Sequence, residues 1–186
     1  GRTGIKVSRL CFGGLTVGPL QANLPVEEGA EVIAEAFRQG INFIDTAEIY
    51  QTYPYIAKAL KQVSKPIVVA SKTYAYDREG AERSLEKARK ELDRDYIDIF
   101  LLHEQESALT LRGHREALEY FFECKAKGII HAVGISTHHI AAVEAASAMD
   151  GMDVIHPIIN YKGIGIVDGT IEEMLKAVKN AYDRGI

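Results

Sequence analysis

Six short apolar runs, each followed by a stretch of helical periodicity, constrain this chain more than any other feature of its sequence. The runs are Leu10–Gly14, Ile41–Asp45, Ile67–Lys72, Ile97–His103, Ala132–Ser136 and Val154–Asn160. Few polar residues alternate within them, which is the pattern of strands covered on both faces. Between the runs, Ala81, Leu85, Ala88 and Leu92 recur at helical spacing behind Asp77, a candidate N-cap. Val26–Gln39 begins with Glu27 and Glu28 and stops at Gly40, as a helix with a glycine end would. A further helix begins near Arg115 and is closed by Gly128. Thr170 with Glu173 forms a capping-box signature that opens a last helix running to about Arg184.

A βα unit repeated six times implies a parallel sheet wound in one direction, either an open doubly wound sheet or a barrel. The strand starts are spaced by about 29 residues, so two more units would reach about 244 residues, close to the eight-unit barrel. Periodicity alone leaves both architectures open. Residues Gly1–Arg9 are expected to form a small hairpin ahead of the first unit, with its turn at Thr3–Gly4.

Composition excludes several classes. Hydrophobic residues make up 47% and charged residues 26% of the 186, enough apolar surface for a sizeable core. A net charge of −4 offers no bulk attraction to nucleic acid or to an acidic membrane. Two separated cysteines, Cys11 and Cys124, make neither a disulfide scaffold nor a zinc site, so a reducing, cytoplasmic setting is expected. Cys11 reads as a small core hydrophobe on the first strand. No metal-ligand spacing occurs; His138–His139 reads as a helix start, and Gly163, Gly165 and Gly169 read as a mobile loop rather than a dinucleotide fingerprint.

Polar residues fall where a parallel sheet places its chemistry. Asp45, Lys72 and His103 close the second, third and fourth runs, and Tyr50 lies in the loop after Asp45. Carboxyl ends of neighbouring strands are where ligands bind in barrels and open α/β sheets alike. A phenol titrates near pH 10, and a neighbouring ammonium held by a carboxylate is expected to lower that value. With an imidazole to orient the substrate oxygen, such a set suits protonation of a carbonyl while hydride reaches its carbon. The Tyr50–Tyr55 stretch, with Tyr74 and Tyr76, is a candidate lining for the mouth.

The motifs GRTGIKVSRLCFGG, GINFIDTAEIY, VVASKT, DYIDIFLLH and GISTHH together resemble those of the aldo-keto reductase superfamily, from Gly1 to the last residue. The resemblance implies an α/β fold, the (β/α)8 TIM barrel, of which this chain carries the first six βα units and the N-terminal hairpin as a single domain over 1–186. It implies reduction of a small aldehyde or ketone with NADPH, NADH being equally compatible with the residues present. By residue, Tyr50 would be the general acid, Lys72 and Asp45 the pair that tunes it, and His103 the group that orients the carbonyl. Ser136 would bond the nicotinamide carboxamide, and Gly13 and Gly14 would admit the cofactor to the backbone. Thr137 stands where the family usually has Asn, and His156 at the position of a Gln that contacts nicotinamide; with Asp45 they complete the implied cofactor set. Gln51 replaces a frequent Gly.

The family's seventh and eighth units, which supply a ring-stacking aromatic and the basic residues for the adenosine phosphate, are expected beyond Ile186. An isolated six-unit chain would leave two strand edges unpaired, so the natural protein is expected to be longer. Two other functions remain open at this level. The altered Thr137 and His156 fit a cofactor-sensing regulatory subunit with little turnover, and Lys72 fits a barrel lyase or aldolase acting through a Schiff base.

Overall fold

The computed structural model describes residues 1–186, the whole chain. Its strands are β1 (Phe12–Gly13), β2 (Phe43–Asp45), β3 (Val68–Thr73), β4 (Ile97–Leu102), β5 (Ile130–Thr137) and β6 (Val154–Pro157). All pair in parallel, and their spatial order is the order of the sequence, β1-β2-β3-β4-β5-β6. A doubly wound sheet must reverse its strand order at a switch point, whereas a barrel never does. The two architectures left open by periodicity are therefore resolved: the sheet is a six-strand arc of a (β/α)8 barrel.

The helices are α1 (Val26–Arg38), α2 (Tyr53–Leu60), α3 (Arg78–Leu92), α4 (Ala108–Gly113), α5 (Arg115–Ala126), α6 (Ile140–Ser147) and α7 (Ile171–Asp183). Strand side chains alternate between two faces. Ile44, Val69, Phe100, Leu102, Val133 and Ile135 face the helices, in a core with Phe37, Tyr53, Leu85 and Phe121. Val68, Ala70, Ile99, Leu101 and Ala132 face the other way, into the concave side, with Phe43, Val154 and Ile5 against them. The same alternation, carried one step further along each strand, sets Asp45, Lys72, His103, Ser136 and His156 on the concave face at the carboxyl edge.

Local signals behave as the sequence suggests at most helix ends. The Asp77 side chain accepts from Gly80 N–H at 2.7 Å, and Thr170 and Glu173 form the reciprocal capping box. Gly40 and Gly128 close their helices with φ of +105° and +74°. The cap on α6 comes from far along the chain: Asp168 accepts from the backbone N–H of Ile140 and Ala141 at 2.7 and 3.0 Å. His139 occupies the N-cap position of α6 without a side-chain cap, so the two histidines do begin a helix.

Two expectations need correction. Residues 1–9 contain a turn at Arg2–Thr3 but no paired strands, so there is no hairpin. Their polar groups find partners elsewhere: Arg2 bonds the carbonyls of Arg184 and Gly185, and Ser8 and Asn42 bond each other's backbone N–H. Ile5 meanwhile packs into the concave cluster. Cys11 is exposed rather than a core residue, because β1 is an edge strand and Cys11 precedes the helix-facing Phe12. The glycine-bearing loop after β6 is internally tied, with Asn160 bonded to the backbone of Lys162 and Ile164.

One position requires glycine on grounds of space. A Cβ on Gly134 would lie 1.9 Å from the Val154 carbonyl oxygen, inside the β5–β6 ladder, whereas one on Gly13 would meet nothing within 4 Å. Gly134→Ala is therefore expected to cost more than about 3 kcal/mol or to prevent folding, and Gly13→Ala less than about 1 kcal/mol. Urea unfolding of the two variants checks this; equal effects would contradict the close approach of β6.

Candidate active site

The site begins with a charge that the fold buries. Lys72, the penultimate residue of β3, has its side chain only 3% exposed, and its Nζ donates to Asp45 Oδ2 at 2.7 Å and to the Thr46 carbonyl at 2.7 Å. An ammonium removed from water is tolerated only when paired and hydrogen-bonded. Asp45 reaches it because β2 and β3 are hydrogen-bonded neighbours, with Asp45 in register with Ala70 and both Asp45 and Lys72 on the concave face. The second carboxylate oxygen, Asp45 Oδ1, is buried and has no hydrogen-bond partner; His156 Nδ1 stops 3.6 Å away.

Tyr50 is delivered by a single helical turn, Glu48–Tyr50, that follows β2 and is closed by Gln51 at φ +58°. Its hydroxyl lies 3.5 Å from His103 Nε2, a long approach that leaves both tips able to meet a third oxygen. The two rings are edge to face at 5.7 Å, and Lys72 Nζ stands 5.1 Å from the Tyr50 ring centre. His103 is held in turn by its backbone N–H on the Thr73 carbonyl at 2.8 Å and by Tyr74, whose ring stacks on the imidazole at 4.5 Å. His103 Nδ1 is buried without a partner.

Burial pushes the Tyr50 phenol up to about 12, and the negative charges of Asp45 and Glu104 add to it. Burial outweighs the lowering expected from Lys72, whose hydrogen bonds go to Asp45 and the Thr46 carbonyl. Burial, followed by the nearby Lys72 charge, lowers His103 to about 4. At neutral pH the pair is therefore a protonated phenol and a neutral imidazole.

Asp45, Tyr50, Lys72, His103, Ser136, Thr137 and His156 line one cleft of about 200 Å³. Ser136, in register with His156, accepts the Glu104 N–H at 3.0 Å and has its own hydroxyl proton to give. Thr137 is 2% exposed and its hydroxyl is spent within the protein, donating to the Gln105 carbonyl at 2.5 Å and accepting from His139 N–H. Gly13 lies in register with Asp45 and is unobstructed, while Gly14 packs close to the Asp45 carbonyl. Of the tyrosines, Tyr53 and Tyr55 are buried and bonded to Ser71 and to the Leu24 carbonyl, so they pack the core; Tyr74 reaches the mouth and Tyr76 is exposed. Motif reading did not find Glu104; its only sequence signal is its place directly after His103.

A larger groove of about 580 Å³ runs outside the sheet past Glu48, Thr73, Tyr74, Arg83 and Lys87. Size does not make it the site. Two of the three buried side-chain atoms lacking a partner, Asp45 Oδ1 and His103 Nδ1, belong to residues lining the smaller cleft, and none belongs to the larger groove. Unpaired buried polar groups are rare and mark places where a ligand completes the bonding.

The sequence profile of the Aldo/keto reductase family matches residues 9–186. The chain is 28% identical to L-galactose dehydrogenase of Arabidopsis thaliana, over 97% of this chain and 60% of that protein. A crystal structure assigned to the aldo-keto reductases of Pseudomonas aeruginosa superposes with a TM-score of 0.82 at 25% identity, covering 99% of this chain and 73% of that one. The Bombyx mori aldo-keto reductase in complex with NADP shares the fold, with a TM-score of 0.76 at 17% identity over 96% of this chain and 61% of that one. The chain spans roughly half to three fifths of the length of curated relatives that it matches.

Two stability measurements test the site's electrostatics. Asp45→Ala leaves a buried ammonium unpaired and is expected to cost about 3–5 kcal/mol, much of it recovered in the double variant with Lys72→Met. Additive losses in that cycle would mean that the pair is not coupled. The folded-state pKa of His103 lies below its unfolded value, so between about pH 6.5 and 4 the unfolded chain binds the extra proton. Stability is therefore full above that window and falls as pH drops through it, and the fall should be shallower in His103→Gln. Equal slopes would contradict a neutral, buried imidazole.

Proposed function

The chain belongs to the aldo/keto reductase family, and on that premise we propose that its cleft reduces an aldehyde or ketone to the alcohol with NADPH, Tyr50 supplying the proton. The observation that carries the reading is the convergence of two free polar tips, Tyr50 Oη and His103 Nε2, beside a buried Lys72–Asp45 pair. A carbonyl oxygen set between those tips accepts a hydrogen bond from the phenol, while the imidazole fixes its direction. The phenol is fully protonated at neutral pH, so the donor is loaded before substrate arrives. As the proton leaves Tyr50 the phenolate charge develops within reach of the Lys72 ammonium, 5.1 Å from the ring centre, and is stabilised there. Asp45 keeps that ammonium in place.

The residues present fit the nicotinamide end of a dinucleotide. Asp45 Oδ1 lacks a donor that a ribose hydroxyl would provide, Ser136 has a proton for a carboxamide oxygen, and the face of Gly13 is open. His156, half exposed at the rim, is placed to join them, whereas Thr137 contributes shape rather than a free hydroxyl. When bound, the reduced nicotinamide supplies hydride to the carbonyl carbon. The choice of NADPH over NADH follows the family resemblance and the NADP named for the silkworm protein.

Tyr50→Phe in the protein that carries this chain is expected to lower kcat for aldehyde reduction at least 100-fold while cofactor binding persists. NADPH oxidation at 340 nm, with cofactor binding by fluorescence, checks both. Retention of most of the rate would contradict the role of Tyr50. Tight nicotinamide binding without turnover of any carbonyl would favour a regulatory role instead.

A further inference from the structure

Glu104 sits directly after His103 in a left-handed backbone conformation, φ +49°, which residues with a side chain rarely adopt. The surroundings hold it there. Its N–H donates to Ser136 Oγ at 3.0 Å, the next residue's N–H donates to the Ser136 carbonyl at 2.8 Å, and the carbonyl of Gln105 receives the Thr137 hydroxyl at 2.5 Å. Three bonds thus fasten the turn after β4 to the end of β5. The side chain is fixed as well: the Tyr74 hydroxyl donates to its carboxylate, and the same Tyr74 ring stacks on His103. A carboxylate is therefore held, by strained backbone and a dedicated donor, at the lip of the cleft that Tyr50 and His103 line.

The charges around that cleft do not cancel. Lys72 is matched by Asp45, His103 is neutral at physiological pH, and Glu104 remains as an excess negative charge. Glu106 lies beside it on the neighbouring surface shared with His138 and His139. Among the residues of this chain that line the cleft, Lys72 is the one lysine and none is an arginine. We infer that Glu104 makes this site selective by charge, favouring neutral or cationic carbonyl compounds and disfavouring those that bear a carboxylate.

This inference rests on the reductase reading and narrows its substrate class. A substrate whose carbonyl meets Tyr50 and His103 carries its remaining atoms out past Glu104. Because Glu104 is exposed, the repulsion acts through water and is screened by salt, so a several-fold rather than a thousand-fold preference follows.

The test compares kcat/KM for 4-nitrobenzaldehyde and 4-carboxybenzaldehyde, similar in size and both electron-poor, with NADPH at low ionic strength. The neutral-to-anionic ratio is expected to fall roughly fivefold on Glu104→Gln, and to fall similarly for the unaltered protein when salt is raised to about 0.5 M. The salt series needs no variant, so a ratio that does not move with salt overturns the assignment even if Glu104→Gln does not fold. A ratio unmoved by either change overturns the assignment while leaving the reductase reading intact. Absence of turnover with both aldehydes overturns the reductase reading, and the charge selectivity with it.

Discussion

Lys72 brings a positive charge into the wall of a parallel sheet, where removing it from water costs several kcal/mol unless partners meet it. The mouth of the sheet is arranged around that requirement. Asp45 and the Thr46 carbonyl sit at the end of the neighbouring strand because β2 and β3 run parallel and in register. Burial nevertheless keeps the phenol of Tyr50 protonated, with the ammonium in place to stabilise the phenolate as it forms. The same desolvation, with the ammonium behind it, keeps His103 uncharged. Burial, the largest influence on both groups, thus sets the protonation state of the cleft around the ion pair.

The winding of the chain explains why these groups meet at all. Sequential strands with helices on one face bring every second side chain to the concave surface, and the last such residue of each strand reaches the carboxyl edge. Asp45, Lys72, His103, Ser136 and His156 come from five consecutive strands or their ends, over an arc of six. The residues read as proton donor, orienting group and charge pair all lie within these 186 positions. Gly134 has a part in this, since only a residue without Cβ lets β6, and with it His156, approach β5.

Much of this was legible in the sequence because it rests on short-range regularities. Apolar runs ending in Asp45, Lys72 and His103 marked both the strands and their active ends, and Asp77 and Thr170 announced their own helices. What the sequence concealed depends on long-range partners. The cap of α6 comes from Asp168, 28 residues beyond Ile140. Residues 1–9 are tied to the far end of the chain and to Asn42 instead of folding on themselves. The expected downward shift of Tyr50 is outweighed because the sequence places a lysine and a carboxylate near the phenol but does not show how far the fold buries it. Tyr74 was visible as one aromatic among several; its stacking on His103 and its bond to Glu104 are set by how β3 and β4 leave the sheet.

The central claim is that burial holds Tyr50 as a neutral phenol beside the Lys72–Asp45 pair. Carbon-13 NMR of tyrosine labelled at Cζ, with the Tyr50 signal identified by its loss in Tyr50→Phe, measures this directly. The account predicts a Tyr50 that stays protonated through about pH 10, with a midpoint near 12. A phenolate already half formed at or below about pH 9 would show that the ammonium outweighs burial at Tyr50, and would contradict it.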